Sequence, residues 1–454
     1  MIRCNVIVGI LTGLLLSCAE YKPRSQPRED IPGGERWRHA PTWASASLQQ
    51  DWWKVFEDKR LSARIATALS QNADLRVLGT RLERARALSG QARAASWPTI
   101  TLGTGLLTGR ERDRTTAGSS VDLAPWTSSG SVSWEIDLFG RIRALTQSAR
   151  AAERAAFWDF HAGRLLVATE VAEAHFRVLR LLEERSLVAE SIAANQMIVR
   201  VLREREQAGL ISKTELRRQE AEQERLSRGL LDLERLEGLA LLQLETLCGG
   251  QQLPHTTHAL ASVQTPPLPG RRTSAVMATR PDLLAAEARV RSAFQLEEST
   301  RLQLLPSLSL GAGARGASNT LVSDFRKWII SAGPRLDIPI YDPNRLASVK
   351  VRRAATNEAA ALYRRAALQA FQEVESSYLN LTSRRRQLQA AKEEVSLLEE
   401  ARQNTLDTFR QGIVSQVELL ESERRSLEGK RQRLALRHAL LRDYLSLVRA
   451  LGGG

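Results

Sequence analysis

Ser131-Val132-Ser133-Trp134-Glu135-Ile136-Asp137-Leu138 alternates polar with apolar side chains. After Phe139-Gly140, a stretch beginning at Arg141 meets no proline until Pro254. Period-two alternation predicts a β-strand with one apolar and one polar face. The segment behind it reads as helix. From Arg141 to Ala208 it would reach on the order of 100 Å at about 1.5 Å per residue. Val167, Val171, Ala174, Val178, Leu181, Val188, Ile192, Val199 and Leu202 follow a heptad, with Arg185 and Asn195 as exceptions. Leu420, Leu427, Leu434, Leu441 and Val448 repeat every seven residues near the other end of the chain. Sustained heptads predict helices packed side by side as coiled coils.

The chain repeats itself. Ala73-Asp74-Leu75 matches Pro281-Asp282-Leu283, and Trp97-Pro98-Thr99 matches Leu305-Pro306-Ser307. Glu135-Ile136-Asp137-Leu138-Phe139 is echoed by Leu336-Asp337-Ile338-Pro339-Ile340-Tyr341. Gly209-Leu210-Ile211-Ser212 matches Gly412-Ile413-Val414-Ser415, with Glu215-Leu216 answering Glu418-Leu419. Matches in one order predict a tandem duplication. The expected layout is a signal peptide over 1–17, an N-terminal segment over 18–59 and a first repeat over 60–250. A Pro-rich linker follows over 251–273, then a second repeat over 274–450 and a tail over 451–454. Each repeat holds a helix, a strand pair (about 98–138 and 306–340) and two long helices: 141–208 with 212–247, and 344–410 with 415–450. Loops rich in Gly, Ser and Thr, about 108–128 and 315–324, are expected to join the strands of each pair.

At the N-terminus, Arg3 precedes an apolar run from Val6 to Leu16, too short to span a bilayer and shaped like a secretory signal. Leu15-Leu16-Ser17-Cys18 resembles a lipobox, which makes Cys18 the expected lipidation site. Ala19, rather than Asp, fits outer-membrane sorting. Cys4 leaves with the signal and Cys18 carries lipid, so Cys248 has no partner for a disulfide. The net charge of +14 invites a nucleic-acid reading. Alternating signs, as in Arg203-Glu204-Arg205-Glu206, instead mark a solvated, salt-bridged helix face.

Inside a bilayer, open strand edges leave backbone groups unsatisfied, so the strands must close into a barrel. Four strands are too few for that, since transmembrane barrels begin at about eight. Oligomerisation supplies the rest, and three chains would give twelve strands. The polar residues would then face the lumen and Val, Trp, Ile and Leu the lipid.

Several further motifs stand in a fixed order: Cys18-Ala19-Glu20-Tyr21-Lys22-Pro23, Trp52-Trp53-Lys54-Val55-Phe56-Glu57-Asp58 leading to Leu61, Ala68-Leu69, and Asn72-Ala73-Asp74-Leu75. Trp97-Pro98, Ile136-Asp137-Leu138-Phe139-Gly140-Arg141, Pro339-Ile340-Tyr341-Asp342 and Arg410-Gln411-Gly412-Ile413-Val414-Ser415 complete them. In these the chain resembles the TolC-type outer membrane efflux proteins, in the lipoprotein branch often called NodT-like, over nearly its whole mature length.

The resemblance implies an α+β membrane protein: a homotrimeric twelve-stranded β-barrel, four strands per protomer, continuing into a long α-helical coiled-coil periplasmic tunnel. It implies a passive export duct for small molecules in the outer membrane lipid. A periplasmic adaptor and an inner-membrane pump, most often of the resistance-nodulation-division type, would deliver the cargo. Gly209, Leu210, Ser212, Gly412, Val414 and Ser415 would meet the adaptor at the helix turns. Glu418 and Glu421, three apart on one helix face, would form acidic rings at the tunnel entrance. Acids in a first helical turn also simply complement the helix dipole. Phe409 and Val414 stand where some relatives carry polar latch residues.

Heptads alone equally describe a periplasmic coiled-coil lipoprotein without a pore. The interrupting strand pairs and the signal favour the duct. No Ser-His-Asp arrangement, phosphate loop or paired-cysteine motif stands out, so neither enzymatic activity nor a cofactor is expected. His255-Thr256-Thr257-His258 has ligand-like spacing but no further ligands beside it, and no metal is expected there. Leu310-Gly311-Ala312-Gly313 belongs to a strand and is not a dinucleotide fingerprint.

Overall fold

The computed structural model describes residues 37–41, 51–106, 109–112, 120–123, 126–254, 259–270, 276, 278–318 and 327–453. The signal segment, Cys18, His255 and His258 lie outside the described residues. The helices are α1 (Lys59–Gln71), α2 (Ala73–Ala94), α3 (Arg141–Gln207), α4 (Lys213–Leu247), α5 (Pro281–Leu302), α6 (Pro343–Arg410) and α7 (Gln416–Ala450). The duplication appears in their lengths. α2 and α5 both have 22 residues, α3 and α6 have 67 and 68, and α4 and α7 both have 35. None of the described helices is long and apolar enough to cross a membrane.

Two compact units cut across the repeats: residues 81–157 with 285–364, and residues 31–80, 158–284 and 365–454. Each repeat contributes to both, because α3 and α6 each begin in one unit and end in the other.

The first unit holds β1 (Thr99–Leu106), β4 (Trp126–Ile136), β5 (Ser307–Ser318) and β6 (Lys327–Asp337) in an antiparallel sheet of order β1-β4-β5-β6. A small hairpin, β2 (Gly109–Arg112) with β3 (Ser120–Leu123), lies between β1 and β4 in the chain. The strands are therefore longer than the loops expected around 108–128 and 315–324 would leave. Small residues such as Gly316 and Ser128, expected in loops, pair with one another in the ladder. Ladder hydrogen bonds need only a backbone, so a polar composition did not end the strand. β4, β5 and β6, at 11, 12 and 11 residues, have the length a tilted strand needs to cross a bilayer.

The register sorts the two faces. Ile100 opposes Val132, Trp134 opposes Leu310, and Leu308 opposes Leu336. Thr101 opposes Ser131 and Ser309 opposes Arg335, on the other face. Ile329, opposite Arg315, is the one large apolar side chain on the polar face among the described residues. On the apolar face Leu102 is 88% exposed, an arrangement suited to lipid and costly in water. Trp134 lies near one end of this band, its indole Nε1 donating to the Ser96 carbonyl at 2.9 Å; Trp97, next to Ser96, and Ile340 and Tyr341, just after β6, are also exposed. At the strand-to-helix corners, Asp137 accepts from the Ile142 and Arg143 amides, and Asp342 accepts from those of Asn344 and Arg345. These side chains satisfy the free N–H groups that begin α3 and α6.

The second unit is helical. Phe56, Leu61, Ile65, Phe176, Leu244 and Tyr378 are among its fully buried side chains, so the segment before α1 is part of the core. Inside it, the fully buried His175 imidazole touches Asp58 through Nε2 at 2.8 Å and Arg64 through Nδ1 at 2.5 Å. Burial holds His175 below its ordinary pKa, against the pull of Asp58. A neutral ring with its proton on Nε2 satisfies both neighbours. Burial pushes the Asp58 carboxyl up, but the His175 hydrogen bond and the Leu61 and Arg60 amides outweigh it and hold the group well below the carboxylate range.

Each repeat closes on itself at the ends of its last helix. Asn72 Nδ2 donates to the Leu247 carbonyl at 2.9 Å, and Arg280 Nη1 donates to the Ala450 carbonyl at 3.0 Å. Gly249 and Gly452, both at positive φ, sit against Gln71 and Arg280, where a Cβ would come within 2.8 and 3.0 Å of them. Leu451, Gly452 and Gly453, expected as a tail, are buried. The cause is the helix cap: the Gly452 and Gly453 amides bond back to the Arg449 and Val448 carbonyls. Along α7 the heptad drifts, so Leu434, Leu441 and Val448 are buried while Leu419, not Leu420, is buried near the helix start. A straight helix turns every 3.6 residues and slips about 20° per heptad against a seven-residue repeat.

Asn72→Ala should destabilise the helical unit by about 1–2 kcal/mol. Arg280→Met, which removes the donor to the Ala450 carbonyl and leaves the half-exposed Asp282 and Glu373 to water, should cost about 1–2 kcal/mol. Thermal melting in detergent measures both, and wild-type melting of either variant would remove that clasp from the account.

Candidate functional site at the helix turns

Between α3 and α4, and again between α6 and α7, the chain reverses through the same device. Gly209 and Gly412 adopt φ of 73° and 78°, in the left-handed region that favours glycine. The Gly209 and Leu210 amides bond back to the Glu206 and Arg205 carbonyls, as those of Gly412 and Ile413 do to Phe409 and Thr408. Ser212 then caps α4 in a reciprocal box, its hydroxyl accepting from the Glu215 amide at 3.3 Å while Glu215 Oε2 accepts from its own amide at 3.2 Å. Ser415 caps α7 by accepting from the Glu418 amide at 3.3 Å. Glu418 returns no such bond and has no side-chain partner among the described residues. The two turns thus differ at one carboxylate.

Six of the sequence-predicted residues gather here, five of them exposed: Gly209, Leu210, Ser212, Gly412 and Ser415. Val414 is half-buried. It turns inward with Ile211 onto a small core of Ile198, Leu202, Leu216, Phe409 and Leu419, and its neighbour Ile413 is the exposed apolar side chain. In both turns the residue after the glycine points out and the next points in, because the helix pair must bury one of them. Phe409 is buried in this core and lies 5.1 Å from the Arg205 guanidinium, a cation–π contact between α3 and α6. Glu418 and Glu421 are exposed, and Glu421 is paired with Arg425 at 2.8 Å.

Behind the turns lies a polar network that motif reading missed. Glu222 of α4, 4% exposed, binds Arg225 of its own helix and Arg424 of α7, each through two nitrogens. Glu399 of α6 binds Arg402 at 2.7 Å and Lys430 of α7 at 2.8 Å, and accepts from the Ser426 hydroxyl at 2.7 Å. Glu184 of α3 takes Arg180 and Arg431, and Gln416 reaches the Glu215 carbonyl and Gln219. α7 is therefore tied by charge to α3, α4 and α6. A cavity of about 250 Å³ lies among these groups, lined also by Asn195, Glu423 and Leu427. Burial pushes the Glu222 carboxyl up, but Arg225 and Arg424 bring it down to about 2. The Arg402 hydrogen bond does most to lower Glu399 to about 2. Burial holds Glu423 above its ordinary range, against Arg402. The only sequence signal was a polar residue at a heptad seam position, Asn195; partners on other helices were beyond local pattern. Among the described residues no group of His, Cys, Asp and Glu is placed to hold a metal.

A two-faced sheet with both edges open, on a chain of long helices that reverse through capped turns, defines a β-barrel membrane channel with a helical stem. The outer membrane efflux protein family matches residues 65–250 and 273–453, and the chain belongs to that family. Its members are passive channels, not enzymes, and assemble as trimers within tripartite systems that include an adaptor and an inner-membrane pump. Among relatives, the pyoverdine export outer membrane protein OpmQ of Pseudomonas putida is 29% identical over 97% of this chain and 95% of its own. The toluene efflux pump outer membrane protein TtgF of the same species is 25% identical over 98% and 95%. The fold is that of the outer-membrane channel OprN, with TM-score 0.86 and 22% identity over 95% of this chain and 99% of that one. It is also that of Campylobacter jejuni CmeC, with TM-score 0.85 and 20% identity over 94% of each chain.

Because Glu222 and Glu399 lie below their ordinary value of 4.5, their stabilisation is full above that pH and is lost as pH falls toward about 2. Proteolysis at the turns should rise over that window. Glu222→Gln should make the turns protease-sensitive at neutral pH; resistance equal to wild type would show that the network does not hold them.

Proposed function

We propose that this channel exports small molecules delivered by a periplasmic adaptor and a pump of the resistance-nodulation-division type, and that lipid on Cys18 tethers it to the outer membrane. The observation that carries the export reading is the sheet: one face apolar and exposed, the other lined by Ser131, Ser133, Ser309 and Ser331. Three copies closed edge to edge enclose that polar face as a lumen. The duplicated map, with repeats over 60–250 and 274–450 around a Pro-rich linker, gives each protomer two strand pairs and two helix turns.

The exposed turns are the proposed adaptor surface. Gly209, Leu210, Ser212, Gly412 and Ser415 present backbone and small side chains around two outward apolar residues, Leu210 at 73% and Ile413 at 70% exposure. Paired hydrophobic tips of this kind suit the end of a helical hairpin. Val414 supports that surface from within. Glu418 and Glu421, both exposed, are the proposed acidic rings at the entrance, repeated by the threefold axis. Nucleic acid is not proposed as a partner, since arginines such as Arg203, Arg424 and Arg431 are paired with glutamates. Relatives named for pyoverdine export, toluene efflux and cation efflux share this architecture, which supports cargo selection lying largely with the pump.

Purified protein in planar bilayers should give stepwise currents at a trimeric mass. A monomeric mass without current would favour a coiled-coil lipoprotein lacking a pore. Glu418→Gln with Glu421→Gln should lower the preference for K⁺ over Cl⁻, and unchanged selectivity would assign these acids to the helix dipole alone.

A further inference from the structure

The polar face of the barrel-forming sheet is not neutral. Five charged residues stand on it by register in the described parts of the strands: Glu135, Arg315, Lys327, Arg335 and Asp337. Glu135 is neutralised, whereas Asp337 is exposed and shares Arg345 with Asp342. Glu135 is held by Arg141 through two hydrogen bonds, at 2.7 and 3.0 Å, and Asp337 has Arg345 at 4.0 Å. The two arginines are exposed and have no acidic partner among the described residues.

Register fixes their placement. Arg335 of β6 opposes Ser309 of β5, and Arg315 of β5 opposes Ser129 of β4. Six residues separate Ser309 from Arg315, so the two guanidiniums belong to levels roughly 20 Å apart along the strand. The row of Arg315 holds Gly103, Ser129 and Ile329 and no acid, whereas the row of Arg335 ends at Glu135, which Arg141 already holds.

An open sheet in water would merely display these charges. A closed barrel does more, because low-dielectric walls focus the field of a charge into a confined aqueous path. A guanidinium remains charged at every physiological pH and matches carboxylate and phosphate geometry with two parallel donors. Rings of arginine are the lining that favours anions in pores. We propose that Arg315 and Arg335 form two cationic tiers in the barrel lumen, which make this segment selective for solutes bearing carboxylate or phosphate groups. The proposal rests on the channel reading above. It names a cargo chemistry that the barrel, as distinct from the pump, would pass most readily. Each tier acts over about a Debye length, about 8 Å at physiological salt. The barrel's preference is therefore separable from that of Glu418 and Glu421 when a probe is applied from the external side.

The test uses the purified full-length trimer in planar bilayers with tripolyphosphate in the external chamber. Wild-type current should be blocked. Arg315→Gln with Arg335→Gln should raise the half-blocking concentration by about tenfold, the equivalent of about 1.4 kcal/mol. Arg315→Lys with Arg335→Lys, which keeps the charge, should block within about twofold of wild type. The reversal potential in a KCl gradient should shift toward K⁺ in the Gln variant, also in a Glu418→Gln, Glu421→Gln background. Intact conductance with unchanged block and reversal potential would overturn the inference and leave the channel reading standing. Absence of current from wild type would overturn both.

Discussion

The backbone edges of the four-stranded sheet are the constraint on which the rest of this protein depends. Among the described residues, β1 and β6 each leave one row of N–H and C=O groups without a partner strand. In hydrocarbon every such group costs several kcal/mol, more than any side-chain contact here supplies. The sheet's apolar face places it in hydrocarbon, so the edges must meet those of other copies. Closure with further copies follows from that pairing, as in the trimers of the family, and it turns a polar face of serines, glycines and arginines into a lumen. The charges on that face acquire meaning only through closure, since in open water they would be screened.

The helical unit solves a different problem. Helices of 67 and 68 residues cannot be fixed by propensity, and the apolar seam of α3 is interrupted by the buried Asn195 and Glu184. Glu222 and Glu184 are buried and Glu399 is half-buried, each with two basic partners, so none of the three charges is left alone. Such groups contribute little net stability compared with an apolar core of the same shape. They do fix which helix lies against which, because α7 can satisfy all three only in one position. The Asn72 and Arg280 clasps add a second level of specificity, binding the end of each repeat to its own beginning.

Much of this was legible in the chain. Alternation at Ser131–Leu138, the absence of proline after Arg141, and the matched Gly209 and Gly412 turns gave the strands, the long helices and the duplication. Strand ends were not legible. Serine and glycine, which mark loops elsewhere, are here the lumen-facing half of a strand. Of the turn residues, glycines and caps were readable because local backbone geometry demands them. Val414 and Ile413 could not be told apart, since which of two adjacent apolar residues faces inward depends on the opposing helix. The pairing of Asp58 and Arg64 with His175 carried no signal, because His175 lies more than a hundred residues further along the chain.

Local chemistry, then, was determined by the sequence alone: where backbone alternates, where it coils, where it must turn through a positive φ, and that all this occurs twice. Those features depend on neighbours within a few residues, and short-range sterics and hydrogen bonding suffice to specify them. Tertiary structure decided which charges neutralise one another and which remain free. Glu135 is taken by Arg141, whereas Arg315 and Arg335 on the same face are left open. It also decided that the compact units would cut across the repeats. The physical reason is common to both: electrostatic pairing and burial depend on distance in space, and long helices and strand register bring together residues far apart in the chain.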